Sequence, residues 1–101
     1  MGRGKLQDPQ IDELFRAILA LENLDECYCF FEDLCTTTEI KAMAQRLAVA
    51  RLLRQGVTYS AIAAATGAST ATISRVKRFL NYGADGYNLI FDRLDKDAKQ
   101  R

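Results

Sequence analysis

Residues 58–80 read TYSAIAAATGASTATISRVKRFL, and the fold turns on how this stretch divides. Thr58 is a helix N-cap, and a short helix follows over 59–65. Thr66-Gly67-Ala68 is a tight turn, after which Ser69 or Thr70 caps a second helix that runs to Leu80. Two helices joined by so short a turn must cross closely. The first needs a small residue at the crossing, and Ala63 supplies it. The turn needs a residue that tolerates positive φ, and Gly67 supplies that. Ile73, Val76 and Leu80 then share one side of the second helix at helical spacing and face Ile62. These intervals are those of a helix-turn-helix.

The other side of the second helix carries different chemistry. At 100° per residue, Ala71, Ser74, Arg75 and Arg78 point away from Ile73 and Val76, with Ser69, Thr70 and Thr72 at the N-terminal end and flank. In helix-turn-helix docking the first residues of the second helix enter the major groove of DNA. Small residues there let the backbone approach base edges. Hydroxyls can meet bases or phosphates, and the methyl groups of Ala71 or Thr72 can touch a thymine methyl. Thr58 and Ser60, at the start of the preceding helix, join the candidate DNA-binding set with Lys77. The expected partner is therefore double-stranded DNA. Specificity falls to Ser69, Thr70, Ala71, Thr72 and Ser74, and charge attraction to Arg54, Lys77, Arg78 and their neighbours.

Outward from the motif the pattern stays helical. Asp8-Pro9 is a helix start, followed by Ile11, Leu14, Phe15, Ile18, Leu19 and Leu21. A break near Asn23-Leu24-Asp25 precedes a second segment, 27–34, that is apolar on nearly every side and so needs cover on several sides, most simply by a second copy of the chain. Thr36 and Glu39 form a capping box at the head of a third helix. Ile40, Met43, Leu47, Val49 or Ala50, and Leu53 give it one buried face. Arg46, Arg51 and Arg54 occupy the rest, and Gly56 ends it. Asn81-Tyr82-Gly83 is a further break. Asp85 or Gly86 starts a last helix with Tyr87, Ile90, Phe91 and Leu94, and the polar tail is expected to fray.

A chain of 101 residues, 49% hydrophobic, is one domain with a small core. Its net charge of +1 hides a division. Residues 1–35 hold three cations against eight acids, residues 36–83 hold seven cations against Glu39 alone, and residues 84–101 hold four of each. A basic centre in a near-neutral chain points one face at a polyanion. The absence of histidine removes the commonest general base and the commonest nitrogen ligand for zinc. No enzyme and no metal is expected. Cys27, Cys29 and Cys35 read as small apolar residues, not as a disulfide framework. GRGK at 2–5 lacks the spacing of a phosphate loop, and Leu6 spoils a myristoylation match at Met1-Gly2. With no apolar run of 18 residues and no apolar core in MGRGKLQDP, neither a membrane span nor a signal peptide is expected, and the chain reads as cytoplasmic.

CTTTEIKAMAQRLAVARLLRQG at 35–56, followed by GASTATISR at 67–75, resembles the tryptophan repressor superfamily, and the whole chain is similar to its YerC/YecD branch. The resemblance implies an all-α fold of six helices, an intertwined homodimer, and reading heads formed by the fourth and fifth helices. It divides the single domain, 1–101, into a dimer core at 8–56 and 84–95, a helix-turn-helix at 58–80 and a polar tail at 96–101. In tryptophan-binding relatives two arginines hold the corepressor, and Arg46 and Arg75 stand in those places, with Thr36 near a further ligand contact. Those relatives have glycine after the second arginine, where this chain has Val76, and Phe79 replaces a residue that helps hold the amino group. Tryptophan is therefore not the expected corepressor, and no cofactor is expected. Three functions stay open: a homodimeric sequence-specific regulator, most simply a repressor; the same regulator gated by a small anion at Arg46 and Arg75; and a helical protein–protein adaptor.

Overall fold

Six α-helices follow one another: α1 Pro9–Leu19, α2 Leu24–Leu34, α3 Thr37–Arg54, α4 Tyr59–Thr66, α5 Thr70–Tyr82 and α6 Gly86–Lys99. They are seen in a computed structural model that describes residues 7–99. The Met1-Gly2 and GRGK motifs lie outside the described residues, as do Gln100 and Arg101 of the tail. By their contacts the residues group into two units, residues 1–37 and 38–101.

The first unit holds α1 and α2. Asp8 is extended, and its carboxylate accepts from the backbone N–H of Gln10 at 2.7 Å and of Ile11 at 3.3 Å, with Pro9 opening the helix. α2 starts at Leu24, three residues earlier than the expected 27. Asn23 is the cap: its Oδ1 accepts from the N–H of Glu26 at 2.9 Å, while Glu26 Oε1 accepts from the N–H of Glu22 at 2.8 Å. Asp25 and Glu26 also sit in the first turn, where the helix dipole favours acids. Of the residues read as a break, Asn23 is thus the cap, and Leu24 and Asp25 open the helix. No residue of α1 or α2 is buried, and Leu24 and Tyr28 are 70% and 69% exposed.

The second unit contains the core. Val49 and Ala50 of α3, Ile62 of α4, Ala68 of the turn, Ile73 and Val76 of α5 and Phe91 of α6 form one buried cluster, with Leu52, Leu53, Val57, Tyr59, Ala63 and Tyr87 packed around it. Met43 and Leu47, expected on the buried face of α3, are exposed. The reason is length: α3 has 18 residues and the cluster draws only on its C-terminal half. α3 ends in a Schellman motif, with Gly56 at φ +79°, its N–H donating to the carbonyl of Leu53 and Val57 N–H to the carbonyl of Leu52, both at 3.0 Å. α6 is fastened to α3 by Arg51, which meets Asp95 at 2.8 Å, and by Arg54, which pairs with Asp92 and donates to the carbonyl of Asn88 at 3.2 Å. Both guanidinium groups also lie over the Phe91 ring, at 5.1 and 5.9 Å from its centroid. α6 runs through Lys99, into the segment expected to fray. α5 runs two residues past Leu80, to Tyr82.

Gly67 adopts φ +73°, and its N–H donates to the carbonyl of Ala63 at 2.9 Å, closing α4 in a left-handed cap. A Cβ there would meet nothing nearer than Gln45 Nε2 at 4.0 Å, so the demand for glycine is conformational and not steric. Gly67→Ala is expected to cost about 1–2 kcal/mol in chemical denaturation. Gly86→Ala, at an open position with ordinary φ at the start of α6, is expected to be neutral or slightly stabilising. Equal effects of the two substitutions would contradict this account of the turn.

Candidate nucleic-acid interface

The turn between α4 and α5 is held by side-chain hydrogen bonds. Thr66 Oγ1 donates to the carbonyl of Ile62 at 2.7 Å and accepts from Ala68 N–H at 3.2 Å. Gln45 Nε2, reaching over from α3, donates to the carbonyl of Thr66 at 3.1 Å. A turn held in this way presents α5 at a fixed angle on the core helix. The role of Gln45 was missed in the sequence. Its partner is 21 residues away, and nothing local marks a helical glutamine as a turn brace.

Ser69 caps α5. Its Oγ accepts from Thr72 N–H at 3.1 Å and donates to Thr72 Oγ1 at 3.1 Å. Ile73 is 0% and Val76 2% exposed, while Ala71, Ser74, Arg75, Lys77 and Arg78 are all exposed. The helix is therefore oriented as its spacing requires. Ser69 and Thr70 are also exposed, whereas Thr72 is half-buried with its hydroxyl committed to the cap. At the head of α4, Thr58 Oγ1 accepts from Ala61 N–H at 3.3 Å and lies 3.4 Å from Ser60 Oγ, both residues being exposed. Each helix of the motif thus opens with a hydroxyl cap on the surface.

The charge divides in the same way. Arg51 and Arg54 are neutralised by Asp95 and Asp92 of α6. Arg54 accordingly also serves the α3–α6 junction. Arg75 and Lys77 meet aromatic rings: the Arg75 guanidinium lies 5.9 Å from the Phe79 centroid, and Lys77 Nζ lies 5.6 Å from that of Tyr59. Of the candidate ligand residues, Arg46 is exposed on α3 and Arg75 on α5, while Thr36 belongs to the first unit. Val76, the residue after Arg75, is part of the core cluster.

A helix-turn-helix with an exposed, hydroxyl-bearing second helix on an all-α frame defines a class of chain. Residues 9–95 match the family model described as Trp repressor protein, and the chain belongs to that family. It is 60% identical over 90 residues to an uncharacterized protein, YerC, of Bacillus subtilis (strain 168), covering 89% of this chain and 86% of that one. A crystal structure of a candidate Trp repressor from Staphylococcus aureus superposes with a TM-score of 0.88 at 56% identity, covering 94% of this chain and 95% of that chain. A TrpR-like protein from Eubacterium eligens ATCC 27750 superposes with a TM-score of 0.88 at 57% identity, covering 90% and 94%. The all-α, six-helix expectation and the family resemblance are borne out. Among the described residues no helix is long and apolar enough to cross a membrane.

Proposed function

We propose that this protein is a sequence-specific DNA-binding regulator of transcription, most simply a repressor, acting in the cytoplasm as a homodimer on a near-palindromic site. One observation carries the reading. α5 buries Ile73 and Val76 while its tip presents Ser69, Thr70, Ala71 and Ser74 with Arg75 and Arg78 behind them. That arrangement fits a major groove, where small side chains admit the backbone to base edges and cations meet the flanking phosphates.

The second copy is supported by what one chain leaves open. α1 and α2 bury no residue, Leu19, Leu24 and Tyr28 are each more than two-thirds exposed, and an open apolar groove of about 470 Å³ runs beside Leu47, Ala48, Leu52, Phe91 and Leu94. Exposed apolar surface of this kind is what a second copy would cover. Two-fold symmetry would set two α5 helices roughly 34 Å apart, in successive major grooves.

Binding without tryptophan fits better than gating by it, because Val76 fills core space and Arg75 rests on Phe79. Selection of bound duplexes from a random pool, with and without tryptophan, tests both points. The expected result is one two-fold-related site, the same in both arms, whose preferred bases change with Ala71→Asn. Recovery of unselected sequence would contradict sequence-specific reading, and a site found only with tryptophan would contradict the ligand-free form.

A further inference from the structure

Among the described residues, Arg51, Arg54, Arg75 and Lys77 each lie near an aromatic ring, and they fall into two kinds. Arg51 and Arg54 lie over Phe91, and each also spends in-plane donors on a carboxylate of α6. Ring and carboxylate together make a lock, with the charge paired. Arg75 over Phe79 and Lys77 over Tyr59 have the ring without the carboxylate. A ring takes only the face of a guanidinium and leaves its edge donors and its charge available. Phe79 is 52% exposed, so burial does not explain a phenyl ring at this place. Tyr59 belongs to α4, so its contact with Lys77 also joins the two helices of the motif.

We infer that Phe79 and Tyr59 are positioning residues that hold Arg75 and Lys77 in place for the phosphate backbone of a duplex. The inference rests on the DNA-binding reading above and deepens it. A free arginine or lysine carries a large rotamer entropy that binding must remove, and a ring beneath the head group removes part of it beforehand. The placement also decides what the cation reads. Phe79 lies one turn behind Arg75 on α5, so a guanidinium resting on it is drawn back from the tip at Ser69–Ala71. Set back from the tip, it reaches the phosphates at the groove edge and not the bases, so its contribution is the same for every sequence.

The test is a double-mutant cycle on the full chain, read as affinity for the selected duplex and for a scrambled one across a salt series. Phe79→Leu keeps apolar bulk and removes the ring face. It is expected to weaken both duplexes alike, by about 3- to 10-fold, with the salt slope unchanged because the cation is still present. Arg75→Ala is expected to weaken binding more and to lower the slope by about one. The double variant should bind no worse than Arg75→Ala alone, since the ring then has nothing to hold, and Phe79→Tyr should restore wild-type affinity. Tyr59→Leu with Lys77→Ala should show the same pattern. Losses that multiply, or a Phe79→Leu protein that binds like wild type with its melting temperature intact, would overturn the inference and leave the DNA-binding reading standing. A wild-type chain that binds neither duplex at low salt would overturn both.

Discussion

Arg75→Ala combined with Arg78→Ala is expected to lower affinity for duplex DNA by about 100-fold at low salt, on the selected site and on random sequence alike. The basic centre of the chain holds seven cations, but Arg51 and Arg54 are cancelled by Asp95 and Asp92. What is left on the motif is concentrated on the exposed side of α5. Charge-assisted hydrogen bonds to phosphate are worth roughly 1.5–3 kcal/mol each, about tenfold or more in affinity. Loss of two contacts should also lower the salt slope by about two. Both side chains are exposed, so the melting temperature should stay near that of wild type. An unchanged salt slope would show that these arginines do not face the duplex.

The second large effect separates two residues that are neighbours in sequence and opposites in space. Ile73 is fully buried in the cluster with Ile62, Val76 and Phe91. Ile73→Ala removes buried methyl groups and leaves a cavity, at an expected cost of about 2–5 kcal/mol. That is a large share of the roughly 5–15 kcal/mol that holds a typical domain folded. Ala71, two residues earlier, is exposed in the first turn of α5. Ala71→Asp places an acid where the helix dipole welcomes it, so stability should hold or rise slightly. The same acid would meet the phosphates and base edges of the major groove, and binding should fall by more than tenfold. Urea denaturation and a mobility-shift assay on the two variants check both halves. If Ala71→Asp bound normally, α5 would not be the reading helix.

The motif was legible because its rules are local. Asp8, Thr58 and Ser69 cap by side chains two or three residues from the N–H groups they accept from, and Gly56 and Gly67 take positive φ just where helices must end. The burial of Ile62, Ile73 and Val76 followed from spacing along two short helices joined by a turn too brief to allow another arrangement. The misreadings have physical causes as well. The break near Asn23-Leu24-Asp25 is present, but α2 starts at Leu24 and not at 27, because Asn23 is its cap and Asp25 lies in its first turn. Met43 and Leu47 match the period of a buried face, yet periodicity says which residues share a side and not how far along a helix the core extends. The brace from Gln45 to Thr66, the Arg51 and Arg54 pairs with α6, and the place of Lys77 over Tyr59 are long-range or rotameric facts. No local pattern announces them, the pairing of Arg54 with Asp92 of α6 among them.

Backbone amide NMR of the full chain, titrated with the selected duplex, tests the central claim most directly. The account predicts shifts concentrated at Thr58–Ser60 and from Ser69 to Arg78, saturating together and fading as salt is raised. Shifts confined to α1 and α2, with α5 silent, would contradict it and favour a helical adaptor that uses the motif only as a frame.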